Sequence, residues 1–200
     1  MRRVLGLCAV VSWCSCFSAY AQETEVFGFW SKGSYRLDDP VVGRSTSTWS
    51  TIPDPELEQQ SSDATLLGAE WRLEKGWRAG LEVHQMAHKW KATPLSTDSV
   101  KTRFILVTGK YPWAITPGWD VFASAGIGFI HVDMGDNGFS DEGEGAAVFG
   151  GLGTRAFLPE TKAAVFAEWR YVRVPGLGSG DMEYNFSGQT FLVGLQYRVH

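Results

Sequence analysis

Four groups of residues have the types and spacing to do chemistry. The segment 133-DMGDNGFSDEGE-144 sets Asp133, Asn137, Asp141 and Glu144 at positions 1, 5, 9 and 12 of an oxygen-ligand pattern, with Gly138 at position 6. Such spacing suits a hard divalent cation. Position 3 is Gly135, so one ligand is missing, and strand-like sequence flanks the segment. A solvated acidic loop is the plainer reading, weak divalent binding the sharper one. His84, Met86 and His88 follow Glu82 at alternate positions. Next-but-one residues on a strand lie about 7 Å apart, so the two histidines share a metal only with help from another strand. They read as satisfied interior or rim histidines. Gly126-x-Gly128 and Gly150-Gly151-x-Gly153 lack the Lys-Ser/Thr ending and the helix of a phosphate loop, and read as room for bulky neighbours. The fourth group is Glu70, Arg72, Arg78, Glu82, Asp120, Arg155, Glu168, Arg170 and Arg198, charges of both signs at alternate positions in apolar segments. Gathered in one interior they must pair, because an unpaired buried charge is strongly unfavourable. Such a set either seals an interior or lines a polar path for small solutes or ions.

The elements that would position these groups follow from composition and period. Arg2 and Arg3 precede an apolar run from Val4 to about Phe17, and Ala19-Tyr20-Ala21 precedes Gln22. That is the pattern of a secretory signal peptide over 1–21, cleaved after Ala21. Cys8, Cys14 and Cys16 all lie inside it, so residues 22–200 carry no cysteine and rely on neither disulfides nor cysteine-bound metal. Removing two of the 18 basic residues leaves 16 against 22 acidic ones, a formal charge of −6. No basic stripe suits nucleic acid. No later apolar run approaches the roughly 20 residues of a membrane helix.

Eight strands are expected: 25–37, 64–73, 77–90, 100–111, 119–133, 144–158, 163–174 and 182–199. The connections alternate in length. Glu74–Gly76, Pro112–Gly118 and Pro159–Lys162 are short, while 38–63 is long and polar, with three prolines and a lone Trp49 as a candidate adhesive anchor. In an up-and-down chain this puts short turns at one end and longer loops at the other. The faces divide cleanly. Trp77, Ala79, Leu81 and Val83 oppose Arg78, Gly80, Glu82 and His84; Val165, Ala167 and Trp169 oppose Phe166, Glu168 and Arg170. The apolar face carries aromatics toward the strand ends, with Trp71, Trp77, Trp119 and Tyr197 beside the short turns and Tyr35 and Trp90 toward the long loops. Two interfacial girdles bounding an apolar band are expected from such a face. The fold class is all-β, an eight-stranded antiparallel up-and-down transmembrane β-barrel, with the last strand pairing the first so that neither edge is left open.

On AEWRYVRV (Ala167 to Val174) and FLVGLQYRV (Phe191 to Val199), the chain resembles the small eight-stranded outer-membrane barrels of the outer-membrane protein A-like family. The resemblance implies a bacterial outer-membrane location, lipid and lipopolysaccharide around the wall, and handling by the barrel-assembly machinery. Gly194, Tyr197 and Val199 match the family's C-terminal assembly signal, although such chains usually end on an aromatic residue and this one ends Val199-His200. The family supports diverse roles. A non-enzymatic monomer serving membrane integrity or surface interaction is expected, with a narrow porin-like channel as the alternative and a lipid A-modifying acyl enzyme third. A deacylase of that kind needs His-x-Ser on one strand face; His84, His88 and His131 are followed instead by Met86, Trp90 and Asp133. No cofactor is expected.

Overall fold

The computed structural model describes residues 25–39, 43–45, 61–89, 99–136, 139–179 and 182–199. The expected signal peptide, Trp49 and Trp90 lie outside them. The strands are β1 (Val26–Leu37), β2 (Gly43–Ser45), β3 (Ser61–Arg72), β4 (Arg78–Lys89), β5 (Ser99–Thr116), β6 (Trp119–Asp136), β7 (Phe139–Phe157), β8 (Ala163–Arg173), β9 (Leu177–Ser179), β10 (Met182–Tyr184) and β11 (Gly188–Arg198). Eight of them close a barrel in the order β1-β11-β8-β7-β6-β5-β4-β3, every ladder antiparallel. The short strands form a separate sheet, β2-β10-β9, beside the long-loop end.

The ladders fix the barrel's geometry. Stepping across partners from Phe27 passes Glu70, Gly80, Thr108, Gly126, Phe149, Val172 and Gly188 and returns to the first strand at Leu37. The return lies 37 − 27 = 10 residues further along, which is the shear of the barrel. Eight strands with that stagger tilt about 40° from the axis and leave an interior that side chains just fill. The terminal strands pair from Phe27↔Arg198 to Leu37↔Gly188, and Val199 N–H donates to the Val26 carbonyl at 2.8 Å. Closure therefore removes both sheet edges.

Three differences from the expected elements have physical reasons. β5 runs through Pro112 to Thr116, with a register shift between Ala114 and Thr116. Its last β4 partner is Lys110↔Arg78, so Pro112 lies in a two-stranded extension with a free edge, where proline is tolerated. Residues 133–136 and 139–144 belong to the paired ends of β6 and β7 rather than to a loop. The expected last strand divides, because Ser187 N–H turns back to Asn185 Oδ1 at 2.9 Å and Ser187 Oγ accepts from Val174 N–H at 3.0 Å. A side-chain turn of this kind interrupts the ladder.

Candidate functional site

Strict alternation decides what faces inward. On β5, Val100, Thr102, Phe104, Leu106, Thr108 and Lys110 are buried, while Lys101, Arg103, Ile105 and Val107 are exposed. The outer wall is apolar: Leu81↔Val107↔Ile127↔Val148 is one ladder row of exposed aliphatics. Among the described residues the inner wall carries four buried carboxylates, Glu70, Glu82, Asp120 and Glu168, and four buried cations, Arg78, Lys110, Arg155 and Arg170. Their formal charges cancel.

Lys110 stands at the centre of this set. Its Nζ lies 2.6 Å from Glu70, 3.4 Å from Glu82 and 3.5 Å from Glu168. The ammonium also faces the rings of Phe29, Phe122 and Phe166 at 4.9, 5.4 and 5.9 Å from their centroids, so cation–π attraction adds to the ion pairs. Arg170 donates Nη1 and Nη2 to both Glu82 oxygens at 2.5 and 3.1 Å, and Nε and Nη2 to both Glu168 oxygens at 2.6 and 2.7 Å. The guanidinium's planar fork suits two carboxylates at once. Ser124 Oγ donates to Glu168 at 2.6 Å. Toward the short turns, Arg155 holds Asp120 at 2.5 Å and donates to Gln196 Oε1 at 2.8 Å, whose amide nitrogen donates to Glu70 at 2.8 Å. Arg78 lies 3.6 Å from Glu70. Between Phe29, Glu70, Lys110, Phe122, Arg155, Phe166 and Gln196 there remains a cavity of about 10 Å³, the room of one water.

The sequence-predicted charges separate into two sets. Glu70, Arg78, Glu82, Asp120, Arg155, Glu168 and Arg170 meet in this network. Arg72 and Arg198 share the inward parity but not the interior. They lie at the short-turn ends of their strands, and both reach Glu25, at 2.8 and 2.9 Å, on the exposed rim. These hydrogen bonds, Arg72's first, hold the Glu25 carboxyl below its usual range of about 4.5. Lys110, Ser124 and Gln196 were not anticipated. Reading the β5 alternation outward from Leu106 places Lys110 inside.

Other expected positions are corrected by the same parity. Tyr35 is not an interfacial aromatic: it follows Phe27, Phe29 and Ser31 on the inner face of β1, and its hydroxyl donates to the Phe186 carbonyl at 2.6 Å. Trp71, Trp77 and Trp119 do face outward near the short turns, Trp77 against Tyr111. His84 and His88 lie inside, each edge-on to Tyr35, with His88 Nε2 3.2 Å from Ser62 Oγ. The proposed cation ligands do not form a loop. Asp133 faces Glu142 across the hairpin, Met134 faces Asp141, and Glu144 lies opposite His131 at 3.4 Å; Asn137 is outside the described residues. Gly194 faces inward, where a Cβ would collide with the Phe166 ring, so its lack of a side chain serves packing. Tyr197 and Val199 face outward.

Above the network the interior changes character. Tyr35, Leu37, Leu66, Met86, Val100, Phe104, Ile130, Val132, Phe149, Val172, Val174 and Phe186 form a buried apolar cluster toward the long loops.

Solved structures share this architecture. Neisserial surface protein A is 9% identical with a TM-score of 0.63, the match covering 88% of this chain and 99% of that one. The outer membrane protein OprG of Pseudomonas aeruginosa is 13% identical with a TM-score of 0.59, covering 88% and 96%. Ail of Yersinia pestis, solved with the heparin analogue sucrose octasulfate, is 14% identical with a TM-score of 0.51, covering 88% and 97%. No curated protein matches the sequence. The family model described as the outer membrane protein beta-barrel domain matches residues 7–198. With its closed eight-stranded wall, apolar outside and charged within, the chain belongs to the outer membrane protein beta-barrel domain family and resides in the bacterial outer membrane.

Proposed function

We propose that this protein is a non-enzymatic barrel with a plugged interior, serving membrane integrity and presenting its long loops for surface interaction. The observation that carries the reading is the self-neutral network: four carboxylates and four cations, mutually hydrogen-bonded around Lys110, with room for about one water. Moving an ion through it requires breaking several pairs at once, each strongly unfavourable to separate in a low dielectric. The stretch above, an apolar cluster with His84 and His88 among its few polar side chains, adds a second barrier to a hydrated ion.

Single-channel conductance of the refolded protein in planar bilayers tests the plug. A silent membrane is expected once heat-shifted gel mobility shows the barrel folded. Steady, discrete openings would favour the narrow porin-like channel instead, with the charge pairs as its gate. A mass spectrum of lipid A from cells with and without the protein tests the non-enzymatic part: identical acylation is expected, and a changed acyl pattern overturns it.

A further inference from the structure

The outer wall is not equally apolar all round. Each residue along a strand tilted by about 40° gains about 2.5 Å of height, and each ladder step from β1 to β3 and onward gains about 3 Å. Trp71, opposite Val26, marks the short-turn edge of the lipid-facing band, which is about 25 Å tall in such barrels. Phe129, four ladder steps and three residues from Phe27, is well exposed and stands about 20 Å above it, so on that side the apolar face spans most of the band. On β1 and β3 the apolar face stops halfway. Trp30 and Leu67 are exposed, but the next outward residues, Lys32, Ser34, Thr65 and Asp63, are polar. Lys32 lies five residues above Phe27, hence about 13 Å up, near the middle of the band. Among the described residues neither Lys32 nor Asp63 forms an ion pair.

These four residues have a definite arrangement. Thr65 is the ladder partner of Lys32, and Asp63 that of Ser34. Asp63 is therefore one ladder step and two residues from Lys32, which sets it almost straight above by about 8 Å. Ser34 and Thr65 flank the line between them, about 4 Å to either side. A second barrel turned by half a revolution about the membrane normal presents the same diamond with left and right exchanged and heights unchanged. Ser34 of each copy then meets Thr65 of the other, and each lysine stem reaches up the facing wall toward the other copy's Asp63. Below the diamond, Trp30 and Val193 flank the same line and meet in the same exchange, an apolar base to the contact. An isologous interface requires a patch complementary to itself about one axis, and this patch is. Anionic lipid has no use for Asp63 and hydrocarbon none for Lys32, whereas a second copy satisfies both in a medium where opposite charges attract strongly. We propose that this face of β1 and β3 is the interface of a homodimer within the membrane, in place of the monomer expected from the sequence.

The test is Förster transfer between donor- and acceptor-labelled copies of the refolded protein, diluted in phosphatidylcholine vesicles, with K32D and D63K as variants. Wild-type transfer is expected well above the random-encounter level. Each variant sets like charges across the axis and is expected to weaken self-association about tenfold or more. An equimolar mixture of the two variants restores an opposite pair in both directions and is expected to recover to within about threefold of the wild type. A mixture that does not recover would mean that Lys32 and Asp63 act within one chain, and it would overturn the dimer. So would wild-type transfer at the random level, which leaves the face to lipid or another protein, or undiminished transfer in either variant. Heat-shifted gel mobility checks folding. Should a charge variant fail that check, S34C mixed with T65C decides: oxidation is expected to cross-link the mixture well above either variant alone, and an uncross-linked mixture overturns the interface.

Discussion

The two halves of the barrel interior solve one packing problem by different physics. Toward the short turns, eight buried ionic side chains cancel one another's charge through directional contacts. Toward the long loops, Tyr35, Leu66, Phe104, Ile130 and Phe186 fill the same tube by volume. Both halves obey the same alternation, so the wall does not dictate which is used. The difference lies in how each fails. An apolar core that loses a methylene relaxes in part, whereas a charge network that loses one partner strands the others in a medium that cannot solvate them. The charged half is therefore the more exacting about residue identity, and the apolar half about shape.

The sharpest way to break this contrast is Lys110→Met. Its length is close to that of lysine, so volume changes little, but Glu70, Glu82 and Glu168 lose the ammonium they share. A loss of about 3–5 kcal/mol is expected, the usual cost of breaking a buried pair from one side. The midpoint of urea unfolding, followed by heat-shifted gel mobility, measures it. A midpoint within error of the wild type would mean that water reaches these carboxylates and that the two halves do not differ as described.

A smaller effect is expected from Tyr35→Phe in the apolar half. The hydroxyl is the one polar atom that Tyr35 brings to that cluster, and it donates to the Phe186 carbonyl in the segment leading into β11. Removing it leaves the ring packing intact and the buried carbonyl short of a donor, a cost of about 1–2 kcal/mol. Amide exchange at Ser187 and Gly188 should accelerate while that of the charged half stays unchanged. Acceleration in both halves would instead show that they open as one unit.

How much of this was legible in the sequence follows from the same contrast. Alternation is strong where one face meets lipid, and there the strands were readable to within a few residues at most ends: β8 was expected to end at Val174 and ends at Arg173. Where polar and Gly-rich sequence replaces the alternation the signal vanishes, so the loop-side ends of β6 and β7 read as a solvated acidic loop, with weak divalent binding as the sharper reading. Tyr35 was misassigned by position along the strand, although its parity with Phe27 and Phe29 was there to be read. Arg72 and Arg198 were the reverse case: parity was right, but depth depends on shear and strand ends, which a single sequence does not display. Lys110 escaped because its neighbours on the inner face of β5, Thr108 and Leu106, carry no charge to mark the face as part of the network.

The smallest expected effect lies outside both halves, at the rim where the chain closes on itself. Glu25 accepts hydrogen bonds from Arg72 on β3 and Arg198 on β11, joining the strands on either side of β1, while Arg72 N–H donates to the Glu25 carbonyl. The depressed pKa of this carboxyl means that its contribution is present above about pH 4.5, where an unfolded glutamate is ionised, and is lost as pH falls through the lower folded value. Both arginines are about half exposed, so solvent screens the pairs and about 0.5 kcal/mol is expected at neutral pH. Glu25→Gln should lower the urea-unfolding free energy by that amount at pH 7, and the difference should shrink as pH falls below about 4.5 and the carboxyl takes up its proton. A difference that does not shrink with pH would place the stabilisation in the backbone contacts of Glu25 rather than in its charge, making the seam an extension of the β1–β11 ladder and not an electrostatic clasp.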